Sequence, residues 1–298
     1  MLGAITNTYG RAIVSSRSNL DRSSISHRPM IIKMSQFHWA STQADVEAHL
    51  RQAIPVREPL SVFEPKHHLV FAAPRNTAPA LCIAACELVG GHRNQAMAAA
   101  SALHLMHAAA FTREHLPLTD KPKLGPMINR KYGPNIELLT GEGLFSFGYE
   151  LLARSDDPAQ NNSERVLRAI LEMSRAMGSQ GMIDGQYHNL PNIQFNGHDP
   201  CHVERIRIKH VSEKKGQLHA CGAACGAILG GGNELEIERL RKYGLYVGMM
   251  QGMLPWVEGK GKEEGLMKEV EKLRNLAIKE LESFKGGNFG EISMFVNV

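Results

Sequence analysis

From Asn94 to His115 the chain runs without Gly or Pro, contains eight Ala, and places Leu103, Met106, His107 and Ala110 at helical spacing. A stretch so rich in the strongest helix former and so free of breakers has one local solution, a long helix. Pro117 ends it. The other apolar stripes share the same period. Pro79 to Leu88 reads as a helix closing at Gly90-Gly91, and Leu138 to Ala153 as one with Leu139, Leu144, Phe145 and Tyr149 available for a core. Ser163 to Met177 carries Val166, Ile170, Met173 and Ala176 or Met177 on one face, and Glu263 to Phe284 carries Leu266, Val270, Leu273, Ala277 and Phe284. A short amphipathic segment from Gln43 to Leu50, with Val46, His49 and Leu50 facing inward, begins the folded part.

Charge excludes one class of partner. The net charge of +4 over 298 residues is accounted for by residues 1–34, where Arg11, Arg17, Arg22, Arg28 and Lys33 stand against Asp21 alone. The remaining basic and acidic residues cancel, so the folded part carries no nucleic-acid footprint. The same segment holds six Ser and no continuous apolar core, the composition of an organelle transit peptide. Residues 1–36 are therefore expected to be a transit peptide or disordered leader, and 37–298 a single folded domain. No run of 18 apolar residues occurs, so no membrane-spanning helix is expected.

Five cysteines are too few, and odd in number, for a disulfide framework in a chain of this size. Four of them form two echoing pairs, Cys82 with Cys86 and Cys221 with Cys225, each four residues apart with Ala-Ala between. The spacing admits three readings. Small side chains one helical turn apart allow a second helix to approach closely. A disulfide within a pair suffers from side chains poorly aimed for its dihedral. Zinc held by Cys221, Cys225 and His219 lacks a demonstrable fourth ligand.

Five stretches carry a resemblance. Glu114-His115-Leu116-Pro117-Leu118-Thr119-Asp120 is similar to an Asp-Asp-Leu-Pro motif followed by a third Asp, of which only Asp120 is kept. Ala73 to Pro79 stands where Gly-Gly-Lys-Arg-x-Arg-Pro is usual and retains one cation, Arg75. Gly185, Gln186 and Asn189 match Gly-Gln-x-x-Asp without its acid, and Lys214-Lys215 matches Lys-Thr. After the well-matched Arg239 to Gly248, a second Asp-rich motif is replaced by Gln251-Gly252-Met253-Leu254-Pro255-Trp256-Val257-Glu258. In this order and spacing, over roughly residues 40 to 298, the chain resembles the plant trans-prenyl diphosphate synthases and, within them, the non-catalytic small-subunit branch. The resemblance implies an all-α isoprenoid-synthase helical bundle in a plastid protein.

It also implies a division of labour. In the active members magnesium, held by two facing Asp clusters, clamps an allylic diphosphate and stabilises its departure. Here the first cluster is reduced to Glu114, His115 and Asp120, and the second to Pro255, Trp256 and Glu258. Glu sets its carboxylate a methylene further out, His offers nitrogen, and Pro and Trp offer magnesium nothing. The expectation is a chain with no catalytic residues, no metal and no cofactor of its own. Magnesium would belong to a geranylgeranyl-diphosphate-synthase-like large subunit, whose product this chain would bias toward geranyl diphosphate for monoterpene synthesis. Arg75, His107 and Lys214 are then vestigial diphosphate ligands, and the resemblance links Cys82, Cys86, Cys221 and Cys225 to subunit association. The alternatives are a weakly active stand-alone prenyltransferase and a cysteine-based metal or redox module. Pro255 is further expected to disturb the helix that carries it.

Overall fold

The computed structural model describes residues 28–116, 131–178, 181, 200–259, 264–284 and 289–296, with side-chain burial from Ser41 onward and, in the helix beginning at Pro200, from Ile208. Asp120, Gly185, Gln186 and Asn189 lie outside the described residues, as does the side chain of Glu258. Every regular element among the described residues is helical. The principal helices are α1 (Arg28–Ala53), α2 (Leu60–Ala72), α3 (Ala78–Leu88), α4 (Arg93–His115), α5 (Pro134–Ala153), α6 (Ser163–Met177), α7 (Pro200–Gly230), α8 (Glu234–Gly259) and α9 (Glu264–Leu281), followed by the single turn α10 (Phe289–Ile292).

Helix α7 is the axis of the bundle: it packs against α8, α3, α6 and α4. Two apolar cores lie on either side of the α3–α7 pair. One gathers Val46, Leu50, Leu103, Met106, Leu144, Leu152 and Met173, with Cys82 and Cys225 on the wall; the other gathers Leu81, Leu240, Tyr243, Val247, Val270 and Phe295. Tyr243 is fully buried and donates its hydroxyl to the Ile292 carbonyl, which ties α8 to the C-terminal turn.

Helix α4 is apolar on nearly every side, as a helix surrounded by others must be. Its start is fixed by His92, whose side chain accepts from Asn94 N while Gln95 reaches back to His92 N. Helix α7 ends at Gly231, with φ of +87°, and the Gly232 N–H returns to the Ala227 carbonyl.

Two expectations need correction. The first helix extends from Arg28 through the expected Gln43–Leu50 segment, because nothing between Pro29 and Pro55 breaks it. It therefore starts within the 1–36 segment. Leu139 is 74% exposed rather than in the core: α5 buries Glu137, Gly141, Leu144, Gly148 and Leu152 against α4, and Leu139 lies on the opposite face. Pro255 lies inside α8, which continues past it to Gly259 without the bond its absent N–H would donate.

Candidate functional site

The stretch from Ala73 to Thr77 leads into α3 beside α4, α7 and α8, and its polar groups bond across to three helices. Asn76 accepts from Ala78 N at 2.7 Å, and its amide nitrogen lies 3.4 Å from His107 Nδ1. His107 Nε2 is 3.0 Å from the Pro74 carbonyl, which makes that nitrogen the donor and Nδ1 the acceptor from Asn76. Thr77 Oγ1 lies 2.8 Å from His219 Nε2 and 2.7 Å from the Gln251 amide. The Lys215 carbonyl, 2.8 Å from His219 Nδ1, fixes the hydrogen there. His219 Nε2 is then an acceptor and takes the one hydroxyl hydrogen of Thr77. Gln251 meets that hydroxyl through its NH2 group, the assignment that also gives Gln251 Nε2 a partner.

This network is uncharged. Burial pushes His107 down to about 4, with His104 adding to the effect, and burial likewise pushes His219 down to about 4. Both imidazoles are neutral at physiological pH. The network now stands where the resemblance places phosphate-gripping cations. Arg75 is exposed.

The first degenerate motif is occupied by its own chain. Lys214, on α7, donates to the Glu114 carboxylate across the α4–α7 contact. Burial, then the neighbouring Lys215 and Arg113, bring the Lys214 ammonium down to about 7. Arg113 turns to Glu142 at 2.6 Å and lies over the Phe145 ring. His115 Nδ1 is 2.8 Å from the Phe111 carbonyl, and its ring is 4.2 Å from the Phe111 ring. In the second motif Pro255 is exposed, and Trp256 packs at the edge of the α8–α9 core. The described residues do not fit magnesium: the carboxylate of Glu114 faces an ammonium, His115 spends a nitrogen on the backbone, and Pro255 and Trp256 have no ligand atom.

The cysteines belong to helix packing. All four are at most 1% exposed, and none is in a disulfide. An added Cβ at Gly222 would sit 2.8 Å from the Ala78 carbonyl, one at Gly230 2.7 Å from the Cys86 carbonyl, and one at Gly226 would fall inside the Cys82 carbonyl. Ala78, Cys82 and Cys86 on α3 thus oppose Gly222, Gly226 and Gly230 on α7, each set at four-residue spacing. Cys221 and Cys225 Sγ are 3.9 Å apart, and Cys225 Sγ lies 3.7 Å from the Ala169 carbonyl on α6. Burial raises Cys82 well above the thiol range and Cys86 to about 12, so both are neutral thiols as packed. No cluster of three or more His, Cys, Asp or Glu able to hold a metal exists among the described residues, and His219 has both nitrogens committed. In the single chain the four thiols lie between its own helices.

A second ladder was not anticipated. Gly244, Gly248 and Gly252 on α8 bring it onto the backbone of α7, with an added Cβ at Gly248 2.6 Å from the Lys215 carbonyl and one at Gly252 2.8 Å from Ser212 Cα. Its four-residue glycine spacing is present in the sequence. The roles of Asn76, Thr77, His219 and Gln251 also went unread, because their partners lie 31 to 174 residues away.

A helical bundle in which, among the described residues, Glu114 is paired with Lys214 and Pro255 and Trp256 offer no carboxylate defines the class. Residues 61–251 match the polyprenyl synthetase family, and the chain belongs to it. It is 52% identical over 91% of its length to the heterodimeric geranylgeranyl pyrophosphate synthase small subunit 2, chloroplastic, of Cannabis sativa, covering 97% of that protein. Its fold superposes on the crystal structure of the geranyl diphosphate synthase small subunit of Antirrhinum majus with a TM-score of 0.79 and 52% identity, over 89% of this chain and 99% of that one. A mint deletion mutant of heterotetrameric geranyl pyrophosphate synthase matches with a TM-score of 0.73 and 45% identity, over 88% and 99%. The chain is thus similar, over nearly its whole length, to small subunits of heteromeric prenyl diphosphate synthases. No described helix is long and apolar enough to cross a membrane.

Proposed function

We propose that this chain is a non-catalytic regulatory subunit, bound to a geranylgeranyl-diphosphate-synthase-like large subunit and biasing that partner's product toward geranyl diphosphate. The observation that carries the reading is the fate of the two motifs: Glu114 is paired with Lys214, and Pro255 and Trp256 stand where metal-binding acids are usual. One electrostatic contact at a transition state is worth about 3 kcal/mol, and this chain lacks several. Magnesium is then the partner's, and this chain needs none. The relatives described above, one a geranylgeranyl pyrophosphate synthase small subunit and another a geranyl diphosphate synthase small subunit, support a heteromeric partner. The chloroplastic relatives and the basic, Ser-rich segment within residues 1–36 support import into the plastid, with 37–298 as the working domain.

The surface for the partner is the outer face of α5 and α6, successive helices in contact, which expose Ile136, Leu139, Leu167 and Leu171. The cysteines contribute by setting how α3 and α7 pack. The test is a prenyltransferase assay with magnesium, isopentenyl diphosphate and dimethylallyl diphosphate, on this chain alone and then with a plastid geranylgeranyl diphosphate synthase. The expected result is no product alone and geranyl diphosphate appearing or increasing in the mixture. Turnover by this chain alone overturns the reading.

A further inference from the structure

Val70 lies in the last turn of α2, where a carbonyl finds no partner within its helix, and the residue four further on is Pro74, which has no N–H to offer. His104 on α4 supplies the missing donor. Its Nε2 is 3.0 Å from the Val70 carbonyl, which places the hydrogen on Nε2. The residue is 4% exposed, and Nδ1 meets no hydrogen-bond partner among the described residues. One turn along α4, His107 repeats the arrangement, with Nε2 at the Pro74 carbonyl and Nδ1 taking a hydrogen of the Asn76 amide. Asn76 cannot turn round to accept instead, because its oxygen is held by the Ala78 N–H. The end of α2 and the stretch after it are thus fastened to α4 by two histidines, and neither has a place for a second proton. At His104 the proton would create a buried N–H without an acceptor; at His107 it would set two N–H groups against each other.

We propose that His104 and His107 form a proton-released latch: neutral, they hold α2 and the stretch through Asn76 on α4, and protonated, they let that segment open while the α7–α8 pair stays packed. The surrounding charges set the balance. Burial lowers His104 most, and the Val70 carbonyl and Glu47 of α1 favour its charged form without outweighing burial. Burial likewise dominates at His107, with His104 and then His219 and Lys214 of α7 adding to it and the Pro74 carbonyl opposing. On α1, His49 is also lowered by burial and bonds Ser101. On α2, His67 is lowered by burial, then by Arg51 and His68, so acid adds cations beside Arg51 and opposes reclosing. Helix α2 can open by itself: it packs on α4 and α5, and gives Leu69 and Val70 to one core only. An opened imidazole regains its ordinary affinity for a proton, so closure is strongest above pH 6.5 and weakens as pH falls. The latch is a property of the isolated chain, whatever partner it takes.

Amide hydrogen exchange of the purified chain tests it, at about pH 7.5 and about pH 5.5, with rates converted to protection factors so that the intrinsic pH dependence of exchange drops out. Each imidazole that gains its proton only on opening lowers protection about tenfold over this range. In wild type, α2 is expected to lose about tenfold or more, and to stay less protected than residues 218–230 of α7 at both pH values. Gln sets an amide donor where Nε2 stands and takes no proton. His104→Gln with His107→Gln is therefore expected to keep α2 protected at the higher pH and to flatten its pH dependence to within about threefold. His104→Gln alone is expected to remove part of the dependence, and serves if the double variant does not fold. His219→Gln, which acts at the α7–α8 contact, is expected to leave the dependence in α2 as in wild type. The proposal is overturned by a full pH dependence of α2 in a folded His104→Gln chain, or by its loss in His219→Gln. Equal protection of α2 and residues 218–230 in wild type overturns it as well, since α2 would then open only with the whole chain.

Discussion

His219 is neutral because α7 and α8 leave no room to hydrate its charge. It is 2% exposed, one nitrogen bonds the Lys215 carbonyl and the other the Thr77 hydroxyl. Its folded-state pKa of about 4 lies below the 6.5 of a free imidazole, so between those values the unfolded chain binds a proton that the folded chain excludes. The stability this represents is fully present above pH 6.5 and is lost as pH falls toward 4. From pH 7 to 5 the loss from this one group is on the order of 2 kcal/mol, and His107 acts in the same direction. Urea unfolding at the two pH values measures it. The expected outcome is a smaller pH dependence for His219→Gln than for wild type, and equal slopes would refute the assignment. At this scale the sequence marked His107 and Lys214 as survivors of a phosphate site. It did not show what they now bond, since Asn76 meets His107 from the stretch before α3 and Glu114 meets Lys214 from α4, and spacing along a chain gives a face but not the partner on that face.

Two glycine ladders decide how closely the helices sit. Gly226 has no space for a methyl group, because the Cys82 carbonyl is already there, so Gly226→Ala must push α3 and α7 apart. The expected loss is about 3 kcal/mol or more, the range of core overpacking, read as a lowered urea midpoint. Gly143, on the outer side of α5, would meet nothing within 4 Å. Gly143→Ala should therefore stabilise by about 0.5–1 kcal/mol, through helix propensity alone. Opposite signs for the same chemical change separate packing from propensity, and a neutral Gly226→Ala would mean the helices are not in backbone contact. The extents of α3, α4 and α6 were readable from breakers and periodicity. The Cys pairs were readable as close-approach faces, but not as facing Gly222, Gly226 and Gly230. Helix α1 extends beyond the apolar stripe of Gln43–Leu50 because its length follows from the absence of any breaker between Pro29 and Pro55. The apolar neighbours of Leu139 fit more than one helical register, so periodicity alone does not place it on the outer face.

For the molecule as a whole, interior polar groups bond one another while several large apolar side chains stay exposed, four of them on α5 and α6. Neutral hydrogen bonds from Asn76 and Thr77 and the Glu114–Lys214 pair occupy the polar ends, while α5 and α6 hold Leu139 at 74% and Leu171 at 49% exposure. A large apolar side chain held in water contributes nothing to the fold and is available to a partner. Leu139→Asp and Leu171→Asp should leave the melting temperature of the isolated chain within about 2 °C of wild type, because Leu139 is mostly and Leu171 about half in solvent. Each should weaken association with a plastid geranylgeranyl diphosphate synthase at least tenfold, about 1.4 kcal/mol, by placing a charge where apolar surface must be desolvated. Cys82→Ser should do the reverse in order: it lowers the stability of the chain first, by desolvating a hydroxyl among helices, and affects association only as the α3–α7 packing loosens. Sedimentation of mixtures at fixed partner concentration, alongside melting of each variant alone, separates the two patterns. If both leucine variants associate as wild type does, the partner surface lies elsewhere on the bundle; if Cys82→Ser loses association while melting as wild type does, the cysteines act on the partner more directly than their burial allows.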